Sequence, residues 1–340
     1  MLDLFTPVVP EAKMHPNFLS LLGDRDVIKV VQKWAVGFKD RDNKFVYEFQ
    51  TTFNSSFWEL YLHAIFKKLK FKTDGVHYAP DFCLDNKGYR FLVEAVSTSH
   101  PQGGIPEHDR IAAIYKVAER ADTQEERDEE YRQIVALATE RISNSIASKY
   151  RKYLTQYSKL EHVAEKPFIL AVGAFEQPFF YKQKLGAILR VLYGTTEAKY
   201  IGSDPYFEHS EFTTKSNGSQ IPIGLFNDDK HKYISAIIFN PTATVGKARV
   251  LSSRLDRKVI VQTVRYDSYS TVSKVEVKLV QQYQESLLDG TTVFLNPNSV
   301  YPIEKNLFRN TDIAIFEGEQ KNNMGHGFLF SREVITVNEV

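Results

Sequence analysis

Three acidic residues stand out because of the segments in which they fall. Glu59 lies in the run SSFWELYLHAIFKKLKF, Asp81 follows a proline, and Glu94 lies inside the apolar run YRFLVEAVS. A carboxylate in an apolar strand loses its hydration, so it needs a cationic partner or a bound metal. Converging carboxylate oxygens suit Mg²⁺ or Mn²⁺, and such an ion polarises a phosphoryl oxygen and activates water. The three positions are therefore candidates for metal-assisted hydrolysis.

The elements that must position these acids are readable from hydrophobic spacing. Apolar residues recur at i, i+3, i+4, i+7, i+8 and i+12 from Phe57, which predicts an amphipathic helix with one apolar face. Strand-like runs follow at 71–78, 80–85 and 89–97, then a long helix at 122–157 and a continuous apolar strand at 168–175. The turn Asp85–Gly88 predicts a hairpin, so Asp81 and Glu94 are expected to converge at one end of a sheet.

This order of elements, with Pro80-Asp81 followed by Glu94, resembles the PD-(D/E)XK nuclease superfamily over about residues 54–175. The resemblance implies an α/β fold with a restriction endonuclease-like α-β-β-β-α-β core and metal-dependent phosphodiester hydrolysis. Asp81 and Glu94 match the two acids of the motif, and Glu59 matches the helix glutamate of the resolvase-like branch. These three residues are thereby expected to be catalytic and to hold Mg²⁺ (or Mn²⁺).

The sequence departs from the motif at Val96, where the superfamily has a lysine. Some members place that lysine on the following helix, and Lys149 is the candidate here. Near the metal it would orient the attacking water and stabilise charge in the transition state. Arg141, Arg151 and Lys152 on the same helix are candidate phosphate contacts.

Each candidate also has a plain structural explanation. Glu59 suits a solvated helix surface, and Asp81 suits a turn. For Glu94 the structural alternative is an ion pair with a residue such as Arg90 or Lys149. Lys149 near a helix C-terminus is explained by the helix dipole alone.

Residues 1–195 are predicted to form the α/β core, with a helical lead-in that is irregular over residues 1–20. Residues 196–340 are predicted to be a β-rich C-terminal extension for substrate recognition or assembly, with strand-like runs at 232–239, 257–266, 291–296 and 327–337. Whether this region folds separately or extends the first sheet is not decided by the sequence.

The basic residues and aromatics of the second region raise the expectation of a surface that faces DNA. The alternative is an ordinary strand surface of mixed charge. The residues concerned are Lys247, Arg249, Arg254, Arg257 and Lys258, with Tyr266, Tyr269 and Tyr283.

Composition limits the partners. The net charge is +1, so binding a nucleic acid requires a local basic surface. The single cysteine, Cys83, excludes an intrachain disulfide and a zinc cluster of several cysteines, and it is expected to pack as a small apolar residue. His63 and His77 are expected to be structural. The chain has no apolar run of about 18 residues and no secretory signal at its N-terminus, so we expect a cytoplasmic protein without a membrane span.

The favoured function is a Mg²⁺-dependent endonuclease acting on DNA, and the resemblance suggests a role in restriction or antiviral defence. The resemblance also implies a homodimer as one option, since homodimers are common in that fold class because two strands must be cut, but the sequence itself shows no interface. The alternative, favoured by Val96, is a catalytically inactive nucleic-acid-binding or assembly subunit. A third option is a toxin that cleaves RNA.

Overall fold

A large mixed β-sheet with helices on both faces forms the body of the protein. The structure is a computed structural model that describes residues 2–77, 79–98, 105–109, 123–201, 204–215, 218–252, 259–270, 272–309, 311–319 and 321–336. The described helices are α1 (Pro16–Leu22), α2 (Arg25–Trp34), α3 (Phe45–Thr51), α4 (Phe53–Lys68), α5 (Gln124–Thr155), α6 (Gly186–Tyr193) and α7 (Val245–Val250). Each of them is too short or too polar to cross a membrane.

Strands occur in both halves of the chain. They are β1 (Lys72–Thr73), β2 (Phe82–Asn86), β3 (Tyr89–Ser97), β4 (Phe168–Gly173), β5 (Thr195–Ile201), β6 (Asp204–His209), β7 (Phe212–Thr214), β8 (Gln220–Pro222), β9 (Ala236–Phe239), β10 (Val259–Arg265), β11 (Lys274–Leu279), β12 (Thr292–Leu295), β13 (Ala314–Phe316), β14 (Asn322–Asn323) and β15 (Leu329–Thr336). The main sheet has the order β1-β2-β3-β4-β9-β12-β13-β14, and β11-β10-β15 form a second sheet. The hairpins β5–β6 and β7–β8 each form a separate two-stranded sheet.

The second region extends the first sheet, which answers the question that the sequence left open. Strand β4 pairs in parallel with β3 on one side and with β9 on the other. Strands β12, β13 and β14 continue the same sheet. Strands from before and after residue 195 therefore belong to one hydrogen-bonded sheet.

Two apolar clusters cover the opposite faces of the sheet. One contains α1 to α4 with Phe91 and Val93, and the other contains α5 and α6 with Leu92 and Val96. Successive residues of a strand point to opposite faces. Glu94 therefore shares the face of Leu92 and Val96, beneath α5. Strand β4 is buried along its whole length, which agrees with its continuous apolar sequence.

The predicted hairpin is present and has a two-residue loop. Asn86 pairs with Tyr89, so Lys87 and Gly88 form the loop. Their φ angles are 54° and 93°, the two positive values that a type I′ turn needs. The Asp85 side chain accepts the Gly88 amide at 3.1 Å and closes the turn. The loop sets the register of β2 against β3.

Helix α5 returns the chain from β3 to β4 and carries the predicted lysine. Thr123 and Glu126 form a capping box at its N-terminus, where acidic residues also suit the helix dipole. Thirty-two residues follow without interruption, close to the predicted 122–157. Lys149 lies near the C-terminal end of this helix.

Helix α4 differs from the prediction of a single apolar face. Its residues are buried on nearly all sides, including the polar Asn54, Ser56 and His63. The reason is that α1, α2 and α3 pack on the side that faces away from the sheet. A helix covered on both sides needs no polar face.

Two other predicted segments also differ. The first strand is only Lys72–Thr73, because the Asp74 side chain accepts the Val76 amide and turns the chain away from the sheet. The lead-in is not irregular throughout, since α1 begins at Pro16. Proline suits the first position of a helix because the missing N–H would have no partner there.

Candidate active site

The register of the hairpin sets Asp81 opposite Glu94. Phe82 pairs with Val93 in the antiparallel ladder, so the next positions outward are Asp81 and Glu94. Residues opposite each other on one face have Cβ atoms about 4.5–5.5 Å apart. The Asp81 Oδ2 atom accepts a hydrogen bond from the Ala95 amide at 2.7 Å, which holds that side chain beside β3.

Glu94 is a buried carboxylate whose two oxygens have different surroundings. Its side chain is 1% exposed. The Oε1 atom accepts hydrogen bonds from Lys149 Nζ at 2.7 Å and from Tyr157 Oη at 3.0 Å, and Lys152 Nζ lies 3.4 Å away. The Oε2 atom is buried and has no hydrogen-bond partner among the described residues. A buried acceptor without a donor is costly, and it marks a position where a cation would be stabilising.

The carboxyl groups of Asp81 and Glu59 are held in an environment that disfavours their charge. Burial, followed by the negative charge of Glu94, raises the pKa of Asp81 to about 6. Burial, followed by the negative charge of Asp81, raises the pKa of Glu59 to about 8. Asp81 is thus the middle member of a row of three acids. Such clustering of carboxylates is typical of functional sites.

The three acids are spread more widely than one coordination shell. Among the described residues, the only three His, Cys, Asp or Glu side chains whose ligand atoms all lie within 4.8 Å of one another are His77, Cys83 and His162. Asp81 and Glu94 are opposite each other, and Glu59 approaches from α4. Since Mg²⁺ takes one or two carboxylates and keeps several waters, the Asp81–Glu94 pair is the part that fits such an ion best.

A small cleft opens beside Asp81 at the edge of the sheet. Its volume is about 40 Å³, and its lining includes Arg41, Glu59, Asp74 and Asp81. A water molecule needs about 10–15 Å³ of such space, so the cleft has room for about three waters but not for a nucleotide.

Arg41 is a member of this site that the sequence analysis missed. Its guanidinium donates to the main-chain oxygen of His77 at 2.6 Å and to that of Asp81 at 2.7 Å. Its positive charge lowers the pKa of both Asp81 and Glu59, in opposition to burial. It lies in a loop 40 residues before Asp81, where no local pattern distinguishes it from other surface arginines.

The basic residues of α5 have three different environments. Lys149 and Lys152 both reach Glu94, and Lys152 also lies over the Tyr157 ring, 4.7 Å from its centroid. Arg151 is exposed, as a phosphate contact requires. Arg141 is only 9% exposed, and its Nε and Nη1 atoms have no hydrogen-bond partner in the described part of the chain. Arg141 is therefore not part of an open basic surface.

The basic strip expected in the second region does not form as predicted. Lys247 is fully buried and forms an ion pair with Glu285. Tyr283 is also buried and donates a hydrogen bond to the same carboxylate. Tyr269 is 90% exposed, whereas residues 254, 257 and 258 lie outside the described residues. The alternation of basic and apolar residues in the sequence does not distinguish a solvated lysine from one that is paired inside the core.

Comparison with protein-family models, curated proteins and solved structures gives no match to this chain.

Proposed function

We propose that the protein is a Mg²⁺-dependent endonuclease that hydrolyses DNA phosphodiester bonds on a restriction endonuclease-like core. The order α4, β1, β2, β3, α5, β4 is the one that the resemblance implies. The observation that carries the proposal is the Glu94 side chain, which is buried opposite Asp81 with a lysine on one oxygen and, within the described part of the chain, no donor on the other.

The residues fit a divalent cation. The Oε2 atom of Glu94 has no hydrogen-bond partner among the described residues, and burial followed by the charge of Glu94 raises the pKa of Asp81; a bound cation would stabilise both carboxylates. The Ala95 amide donates to Asp81 Oδ2 and fixes this side chain beside β3. Asp81 and Glu94 would hold the ion, with Glu59 as a neighbouring acid. When bound, Mg²⁺ polarises the phosphoryl oxygen and lowers the pKa of a coordinated water.

In this proposal Lys149 takes the role of the missing strand lysine. Its Nζ atom is 2.7 Å from Glu94 and its side chain is 30% exposed, so it is reachable from solvent. An ammonium group there orients the attacking water and stabilises the negative charge that develops on the phosphate. Exposed Arg151 provides a contact to the DNA backbone away from the reacting atoms.

Nicking of supercoiled plasmid in the presence of Mg²⁺ tests the proposal. We expect the wild type to cut and chelation to stop it. Asp81→Asn and Glu94→Gln should abolish cutting, and Lys149→Met should reduce it about 10²–10³-fold, the loss typical of one charge-stabilising group.

Matched controls are available close to the site. Glu161 and Lys159 are exposed and lie just after α5, so Glu161→Gln and Lys159→Met should cut at the wild-type rate. Cutting that persists in both Asp81→Asn and Glu94→Gln would reject the assignment. Replacing the plasmid with single-stranded RNA in the same assay distinguishes a ribonuclease.

A non-cleaving DNA-binding subunit is the second candidate. Two observations favour it: Val96 stands where the motif has lysine, and the Lys149 ammonium already neutralises Glu94. This candidate predicts no Mg²⁺ binding by calorimetry and no nicking. It also predicts DNA binding that weakens steeply as salt rises.

A further inference from the structure

A group of side chains with metal-ligand chemistry includes Cys83, two positions after Asp81. His77, Cys83 and His162 each contribute a ligand atom, and these atoms all lie within 4.8 Å of one another. Their donor set of two imidazoles and a thiol differs from that of the acids. We propose that these three residues form a Zn²⁺ site that ties the loop before β2 to the segment after α5.

The donor atoms identify the class of metal. Thiolate sulfur and imidazole nitrogen suit Zn²⁺, whereas Mg²⁺ and Mn²⁺ prefer oxygen. Ligand atoms around a tetrahedral Zn²⁺ are about 3.3–3.7 Å apart, given Zn–N of about 2.0 Å and Zn–S of about 2.3 Å. The ligand atoms lie within 4.8 Å of one another, so they must move inward, and the stacked rings of His77 and His162 must turn apart so that each points a nitrogen at the ion.

Hydrogen bonds already orient both imidazoles as metal ligands are usually oriented. The Nδ1 atom of His77 is 2.9 Å from the carboxylate of Asp74. The Nε2 atom of His162 is 2.7 Å from the carbonyl oxygen of Ala79, which accepts only, so this nitrogen carries the proton. In the proposed site each ring would ligate through its other nitrogen. A ligating histidine almost always donates its second nitrogen to a carboxylate or carbonyl in this way.

Packing holds the three residues together across a long stretch of sequence. The rings of His77 and His162 stack with centroids 3.7 Å apart and planes at 20°. Cys83 is buried on β2, two positions after Asp81. On binding, the Cys83 thiol loses its proton to solvent and the sulfur becomes a thiolate ligand. Three protein ligands leave one position for water.

The consequence of occupancy is a fixed position for Asp81. His77 and Cys83 lie on either side of this residue in the sequence, and His162 also holds the Ala79 carbonyl. A metal bound to all three would restrain the segment 77–83 from both ends. The three ligands are thus positioning residues for the acidic row and not catalytic ones.

Cobalt substitution of the full-length protein tests the site. Co²⁺ replaces Zn²⁺ and reports a sulfur ligand through a thiolate-to-cobalt charge-transfer band in the near ultraviolet. Because Cys83 is the single cysteine, such a band has one source. We expect one equivalent of Co²⁺ to produce the band, one equivalent of Zn²⁺ to remove it, and Cys83→Ser to lack it.

Variants separate a built site from chance binding at a thiol. His77→Ala and His162→Ala should each weaken Co²⁺ binding by more than about 100-fold, and Asp74→Asn by about 10–100-fold, as for partners that orient a ligand. His231→Gln changes a partly buried histidine elsewhere and should bind as wild type. Glu94→Gln should keep the band, so failure of the nuclease proposal and failure of this one are distinguishable.

The wild-type protein alone can overturn the inference. Absence of the band in folded wild type at saturating Co²⁺ would do so, whatever the variants show. An affinity for Co²⁺ that is unchanged in both histidine variants would also overturn the inference, because the metal would then be bound by the thiol alone.

Discussion

At the scale of single residues, the two oxygens of Glu94 have different roles. Lys149, Lys152 and Tyr157 surround Oε1, whereas Oε2 is without a partner among the described residues. An ion pair with Lys149 was expected on structural as well as catalytic grounds, so that contact does not separate the two hypotheses. The unpartnered Oε2 and the neighbouring Asp81 favour the catalytic one, because a purely structural ion pair has no need of either.

The Lys149–Glu94 contact predicts a measurable loss of stability. Lys149→Met removes the closest cation from a buried carboxylate but leaves Lys152 and Tyr157 in place. We expect the free energy of unfolding in urea to fall by about 1–3 kcal/mol. The double variant with Glu94→Gln should lose less than the sum of the two single changes, since they share one interaction. Equal stability of Lys149→Met and wild type would contradict the contact.

His15 predicts a pH-dependent loss of stability that is independent of the candidate site. Its Nδ1 atom accepts the Asn17 amide at the start of α1, and a protonated ring has no acceptor to offer. Burial, followed by repulsion from His108, lowers the pKa of His15 from 6.5 to about 4. The stabilisation is therefore complete above pH 6.5 and is lost as the pH falls through 4.

His15→Asn should flatten this dependence, because asparagine caps a helix without titrating. Melting temperatures of variant and wild type, measured at steps from pH 6.5 to pH 4, give the comparison. Curves that fall in parallel would show that other groups account for the acid sensitivity.

At the scale of elements, the β2–β3 hairpin is the device that brings two acids together. Its two-residue loop is centred between Lys87 and Gly88, and Asp81 and Glu94 are equally far from that centre. A shift of one residue in register would move Glu94 to the other face of the sheet and separate the pair. The turn therefore contributes to function as well as to stability.

Gly88→Ala tests the turn. The φ of Gly88 is 93° and no atom lies within 4 Å of an added Cβ, so any cost comes from the backbone alone. We expect a loss of about 1–2 kcal/mol in the free energy of unfolding. Gly23→Ala is the matched control, since that glycine also has free space but a φ of −76°. The control should be neutral or stabilising by up to about 1 kcal/mol. Equal effects of the two changes would refute the conformational explanation.

At the scale of the whole molecule, a buried charge network connects the second sheet to the main body. Glu285 lies between Lys247 of α7 and Arg332 of β15, and all three side chains are buried. Arg332 also donates to Thr244 Oγ1 at 3.0 Å. The two cations lower the pKa of Glu285 although burial alone would raise it.

Lys247→Met should be strongly destabilising because it leaves a buried carboxylate with one cation fewer. We expect a loss of about 3–5 kcal/mol, the usual cost of breaking a buried pair from one side. Lys230→Met removes an exposed lysine that pairs with Asp228, and should leave the denaturant midpoint close to that of the wild type because exposed ion pairs contribute little. Denaturant midpoints of the two variants, followed by circular dichroism, make the comparison. A Lys247 variant as stable as the Lys230 variant would contradict the network.

Local patterns in the chain predicted α4, α5, several strands of the main sheet and the opposition of Asp81 and Glu94, but not α1 or the hairpins β5–β6 and β7–β8. Spacing of apolar residues defines a helix or strand within a few residues, and a two-residue turn fixes which positions face each other across it. By contrast, Lys149 meets Glu94 across 55 positions, Arg41 reaches Asp81 across 40, and His162 joins His77 and Cys83 from beyond α5. Such contacts depend on how the helices pack against the sheet, and no short-range periodicity contains that information. The same packing buries Lys247 and Arg141. Whether a charged residue lies inside the fold depends on the tertiary structure, and its charge alone does not indicate this.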